Sequence, residues 1–211
     1  MILTSDFCLL TSKKMKNICV FCGSSMGFDR RYAEAAAMLG EVLADNDCTL
    51  YYGGGSVGLM NVIAERMLAR NKKVVGVMPG FLLAHEIGHP GISEMVATTT
   101  MAERKDILMR VSDAFIAMPG GFGTLDEFSE VVVADQLRLM EKPIALYNTL
   151  GYYDDLVKWI DRGVRDGFIR GDHYKNIIVT DDPKELFAKM RDYNPVKIEK
   201  WIHDIKEEVR S

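Results

Sequence analysis

Ala114-Phe115-Ile116-Ala117-Met118 is an unbroken apolar run; Pro119-Gly120-Gly121-Phe122-Gly123-Thr124 turns the chain, and Leu125-Asp126-Glu127 opens a helical pattern that reaches about Met140. A short apolar segment feeding a glycine turn and then an amphipathic one is the grammar of a βα unit. The same grammar recurs outward in both directions. Upstream, Asn17 to Cys22 leads into Gly23-Ser24-Ser25 and a helix from about Arg30, and Cys48 to Tyr52 leads into Gly53 to Gly58 and a helix to Ala69. Lys73 to Met78 and a short run near Met95 to Ala97 read as strands, followed by a polar helix carrying Met101, Glu103, Arg104, Lys105 and Arg110. Downstream come Pro143 to Tyr147, a helix from Tyr152 through Trp159, a strand at Ile177 to Val179, and two helical segments. The last of these aligns Ile198, Trp201, Ile202, Ile205 and Val209 in one stripe. Strands that are apolar throughout and alternate with helices specify a mostly parallel sheet covered on both faces. The expected fold is α/β, doubly wound and Rossmann-like.

A chain of 211 residues suffices for one substantial core, and no linker-like stretch divides it. One domain is expected over residues 15–211, with residues 1–14 a disordered extension ahead of it. The net charge of -4 argues against a general nucleic-acid binder but not against a small anionic ligand, which a few local donors can hold. No apolar run nears the roughly 20 residues of a membrane span. Met1 to Lys14 lacks the basic start of a secretory signal, so the cytoplasm is the default setting.

Three sequence patterns resemble known sites without their context. Gly53-x-Gly55-x-x-Gly58 matches the dinucleotide fingerprint, yet the acidic ribose clamp is missing: the next strand ends at Met78-Pro79 and the first acid after it is Glu86. His85-Glu86-Ile87-Gly88-His89 spells the zinc-protease pattern, but Gly88, Pro90 and Gly91 break the helix that pattern needs. Cys19 and Cys22 lie within a strand, where residues three apart face opposite sides. Neither a metal nor a cofactor is expected.

Sheets of this kind bind ligands beyond the carboxyl ends of their strands. That rule selects the loops at Gly23-Ser24-Ser25, Gly53 to Gly58 and Pro119 to Thr124. Glycines let the backbone approach a ligand closely, and the unpaired N–H groups of a following helix make an anion site. The Pro119 to Thr124 loop is the best phosphate cradle of the three. Glu127 carries two readings. It is a carboxylate beside that cradle, or the third-position Glu of a capping box begun by Thr124. Arg104 is a solvated helix charge or a forked donor for phosphate or substrate.

Four segments together resemble one family: Gly23-Ser24-Ser25, Tyr52 to Met60, Met101-Ala102-Glu103-Arg104-Lys105, and Pro119 to Glu127. It is the LOG (LONELY GUY) type of cytokinin-activating phosphoribohydrolase, long labelled lysine-decarboxylase-like. The resemblance runs from about Asn17 to Thr180 and includes Gly151-Tyr152-Tyr153-Asp154. It implies hydrolysis of nucleoside 5′-monophosphates, AMP or an N6-modified AMP, to base and ribose 5-phosphate by a homodimer or larger assembly. It also implies that Arg104 and Glu127 are the catalytic pair. Ser24, Gly54, Gly55, Glu86, Met101, Lys105, Pro119, Gly120, Gly121, Gly123 and Thr124 would bind substrate. Ala102 stands where the family commonly has His, and Val133-Ala134 where it has Thr-Trp, so an altered base pocket is expected. A lysine decarboxylase would require a Schiff-base lysine, and no lysine stands in such a context. The competing reading is a nucleotide or cofactor carrier of the same fold. Apolar helix faces at Asp135 to Met140 and Ile198 to Val209 are the expected assembly surfaces.

Overall fold

The computed structural model describes residues 15–85 and 87–196. The 1–14 extension, Glu86 and the stripe from Ile198 to Val209 lie outside the described residues. Seven strands form one parallel sheet: β1 (Asn17–Phe21), β2 (Thr49–Tyr52), β3 (Val74–Pro79), β4 (Glu94–Thr98), β5 (Ala114–Ala117), β6 (Ile144–Tyr147) and β7 (Ile177–Thr180), in the order β4-β3-β2-β1-β5-β6-β7. The chain winds outward from β1 to one edge, then crosses back to lay β5 against the other side of β1. The strand order therefore reverses at the β1–β5 seam, where a doubly wound sheet opens its crevice.

Alternation along β1 explains the two layers. Ile18, Val20 and Cys22 join the core beneath α1 (Arg31–Asp45), α2 (Gly58–Ala69) and α8 (Pro183–Arg191). Cys19 and Phe21 face the other core, with Leu108 of α4 (Met101–Val111), Phe128 and Val131 of α5 (Phe122–Gln136), and Tyr153 ahead of α6 (Asp154–Arg165). The two cysteines thus lie on opposite faces, and burial raises both thiols well above their ordinary range.

Several boundaries differ from the sequence reading. The long helix stops at Gln136 rather than near Met140, because Arg138 takes a left-handed φ of 58° just past it. The helix read from Tyr152 starts at Asp154. Two short helices, α3 (Gly80–Leu83) and α7 (Gly171–Lys175), occupy stretches to which the sequence reading assigns no element. Single turns of this length carry no hydrophobic period to read.

Candidate active site at the strand reversal

The loops after β1 and β5 lie against each other at the seam. The Gly23 amide donates to the Pro119 carbonyl (3.0 Å), and the Leu59 amide donates to the Gly23 carbonyl (3.1 Å). Gly120 has no room for a side chain: a Cβ there would sit 2.1 Å from Thr124 Oγ1 and 2.9 Å from the Gly23 nitrogen. The fingerprint-like glycines serve packing. Gly54 adopts φ +80°, and a Cβ on Gly58 would strike the Ser24 carbonyl carbon at 2.3 Å. Gly53 leaves space for an arginine, since a Cβ there would meet Arg104 Nη2 at 2.6 Å. Gly53 was not among the expected site residues. Its position in the glycine motif was the available signal.

Arg104 comes from α4, whose start is the capping box of this region. Thr100 Oγ1 accepts from the Glu103 amide (3.1 Å), and Glu103 Oε2 accepts from the Thr99 amide (2.7 Å) and hydroxyl (2.6 Å). The Arg104 side chain crosses the ends of the strands and donates from Nε to the Val77 carbonyl of β3 (3.0 Å). Its Nη2 stands 2.8 Å from Glu127 Oε1, with the two side chains only 12% and 9% exposed. The Arg104 N–H is not aligned on that oxygen, so Oε1 is enclosed beside a counter-charge yet lacks a well-directed donor. Burial raises the Glu127 pKa, and the Arg104 charge opposes the rise.

The capping-box reading of Thr124 and Glu127 is overturned. The α5 N-cap is Gly121, so Thr124 is already the third helical position and Glu127 lies in the next turn. Among the described residues no side chain caps α5. The amides of its first turn have no intrahelical acceptor by geometry. Added Cβ atoms on Gly121 or Gly123 would meet nothing within 4 Å. Gly121 has an ordinary extended φ of -93°. Protein packing therefore explains glycine at neither position, and the bare amides stay open to close approach. Glu127 follows Gly121 by six residues, about 9 Å along the helix axis.

Ser24 and Met101 stand exposed at the same end of the sheet. Lys105 is paired with α5: its Nζ lies 3.1 Å from Asp126 Oδ2 and 3.0 Å from Glu130 Oε2, whose hydrogen bonds raise its pKa. The metal-like histidines do not converge. His85 is exposed in a turn, while His89 is buried and makes contacts of its own. Its Nε2 lies 3.0 Å from Glu65 Oε1, and its Nδ1 accepts from the Gly91 amide (3.1 Å). The Gly53 to Gly58 loop is clamped to this segment by the Ser56 amide on the Ile87 carbonyl and the His89 amide on the Gly54 carbonyl (both 2.9 Å). Another concavity, of about 230 Å³, lies among Met15, Asp113, Lys142, Met190 and Tyr193 at the opposite end of the strands. Two of its charged groups are engaged with backbone: Asp113 accepts from the Lys16 and Asn17 amides, and Lys142 donates to the Met109 carbonyl.

Fold and site together define a class: α/β proteins with a buried Arg–Glu pair below a glycine-lined helix N-terminus at the reversal point of a parallel sheet. Residues 60–190 match the family model described as "Possible lysine decarboxylase". The chain is 41% identical over 192 residues to the probable cytokinin riboside 5′-monophosphate phosphoribohydrolase LOGL2 of Oryza sativa subsp. japonica, covering 91% of this chain and 79% of that one. It is 43% identical over 182 residues to the cytokinin riboside 5′-monophosphate phosphoribohydrolase LOG1 of Arabidopsis thaliana, covering 86% and 85%. The chain belongs to this LOG phosphoribohydrolase family. A molybdenum cofactor binding protein from Rippkaea orientalis shares the fold, with a TM-score of 0.64 at 18% identity over 84% of this chain and 96% of that one.

Proposed function

We propose that this protein hydrolyses the N-glycosidic bond of a nucleoside 5′-monophosphate, AMP or an N6-modified AMP, releasing the base and ribose 5-phosphate. The observation that carries the reading is the buried Arg104–Glu127 pair set one to two turns below an uncapped, glycine-lined helix start. The phosphate is held by the amides at the start of α5, with Ser24, Gly54, Gly55, Met101 and the Pro119 to Thr124 loop around the substrate. This places the sugar over Glu127. Glu86 belongs to the same proposal. Lys105 contributes through its pairing with Asp126 and Glu130, which steadies α4 against α5.

Breaking the C1′–N bond leaves positive charge on the sugar ring. The Glu127 carboxylate stabilises that charge and accepts a proton from the water whose oxygen bonds to C1′; the bond electrons leave with the base, which takes up a proton. Burial makes Glu127 a stronger base than a free carboxylate, and the Arg104 charge favours its ionised form. The Arg104 guanidinium is too weak an acid to donate a proton, so it orients the carboxylate and substrate through its forked donors. A lysine-decarboxylase reading requires a Schiff-base lysine, whereas Lys105, next to Arg104, is engaged with Asp126 and Glu130. The carrier reading rests on the fold alone and gives the buried carboxylate no task.

The test is incubation with AMP, GMP, CMP, UMP and isopentenyl-AMP, with chromatographic detection of free base. Release from a purine monophosphate supports the proposal; intact nucleotides throughout refute it. Gly123→Ala separates ligand from packing. Alanine at this second helical position should raise the thermal midpoint, worth about 0.5–1 kcal/mol. At the same time it should raise the KM for AMP several-fold by crowding the phosphate. A lower midpoint with unchanged KM would assign Gly123 to packing.

The homodimer or larger assembly is part of the same proposal. Phe122, Leu125 and Val133 stand exposed on α5, with exposed Leu137 just past its end, an apolar surface of the kind that marks subunit contacts.

A further inference from the structure

Three consecutive carbonyls leading into α5 are each held by a different group. The Met118 carbonyl accepts from the Tyr153 hydroxyl (2.5 Å), the Pro119 carbonyl from the Gly23 amide (3.0 Å), and the Gly120 carbonyl from the Tyr152 hydroxyl (2.5 Å). In a trans peptide the C=O and N–H point to opposite edges. Holding the Pro119 carbonyl therefore turns the Gly120 N–H away from the β1 loop, and holding the Gly120 carbonyl turns the Gly121 N–H away from the Tyr152 ring. The carbonyl dipoles that would repel an anion are engaged, and the amides are left for it.

The peptide joining Gly120 to Gly121 differs from its neighbours. Both flanking residues lack Cβ, so this peptide can rotate with little steric resistance. A half-turn would present a carbonyl where the amide belongs. Among the described hydrogen bonds, the one from Tyr152 is what fixes its orientation. Tyr152 is 45% exposed, so burial of its ring does not require tyrosine over phenylalanine. The turn that delivers it is unusually constrained. Leu150 and Gly151 both have positive φ (57° and 70°), and Asn148 holds the Tyr153 amide (2.6 Å) and donates to Asp154 (2.8 Å). The Tyr152 ring meets Tyr32 and Tyr153 edge-on, at 6.0 and 5.1 Å. A strained, over-determined turn is a device for placing a side chain.

We propose that Tyr152 is a positioning residue: its hydroxyl locks the Gly120–Gly121 peptide with the N–H side toward the substrate phosphate. The proposal rests on the reading of the α5 start as the phosphate site. Tyr152→Phe tests it, because the ring stays and only the lock is lost. With purified protein, the dissociation constant of ribose 5-phosphate and the KM for AMP should rise about five- to tenfold, the effect of one lost hydrogen bond. The change in kcat should be far smaller, and the thermal midpoint should stay near the wild-type value. Tyr153→Phe should show the reverse pattern, since its buried hydroxyl serves a carbonyl before the proline: a lower midpoint and little change in KM. If Tyr152→Phe binds ribose 5-phosphate as tightly as wild type, or only loses stability, the lock is wrong while the phosphate site stands. If wild type itself does not bind ribose 5-phosphate, the site reading fails and the lock falls with it.

Discussion

Glu127→Gln is expected to leave a folded protein that binds a nucleoside monophosphate and turns it over at least about a hundredfold more slowly. Glutamine keeps the volume of the buried side chain and an oxygen toward Arg104. It removes the negative charge that faces the developing sugar cation, and it cannot take the proton from water. The KM for AMP and the affinity for ribose 5-phosphate should change little, because the phosphate is held about 9 Å away along the α5 axis. Some stability should be lost, since the Arg104 guanidinium, 12% exposed, then lacks its counter-charge. Base release under saturating AMP, with a thermal melt of the same sample, checks both parts. Wild-type turnover by a well-folded Gln variant would remove Glu127 from the chemistry.

The amino-acid sequence displays what repeats and hides what converges. Apolar strands ending in glycine turns were readable because burial on both faces forbids polar residues, and the strand-end rule then directed attention to the loops that meet at the β1–β5 seam. The start of α5 lies earlier than its local pattern indicates. Gly121 to Gly123 look like loop by propensity, and the helix forms there regardless, exposing amides that alanine or serine would have crowded or capped. The local pattern from Thr124 to Glu127 pointed to a cap, while the actual capping box lies at Thr100 and Glu103. That Arg104 meets Glu127 could not be seen in spacing, because the two come from helices separated by β5; only the family resemblance pointed to the pair. The roles of Gly53 and Tyr152 likewise depend on contacts with Arg104 and Gly120, far from them in the chain.

Replacing Arg104 with Met should abolish most activity and destabilise the protein by about 3–5 kcal/mol at neutral pH, the range for removing one partner of a buried ion pair. The methionine fills much of the arginine volume, so the cost falls on the Glu127 carboxylate left without its counter-charge. The pH dependence identifies that origin. Burial raises the folded pKa of Glu127 above its unfolded value, and Arg104 restrains the rise, so the variant must show the larger upward shift. A carboxyl group with a raised folded pKa favours the fold fully below its unfolded pKa and loses that contribution as pH rises through the folded one. The penalty of Arg104→Met should accordingly be small in acid, grow across that window, and level off above the shifted pKa. Any residual turnover should have its ascending limb at higher pH, where the base regains its charge. Denaturant unfolding of wild type, both single variants and the double variant across this range gives the coupling directly. In the Glu127→Gln background the Arg104 penalty should lose its pH dependence. A penalty that stays level with pH in both backgrounds would mean that Arg104 contributes packing and its hydrogen bond to Val77, and that its charge does not govern Glu127.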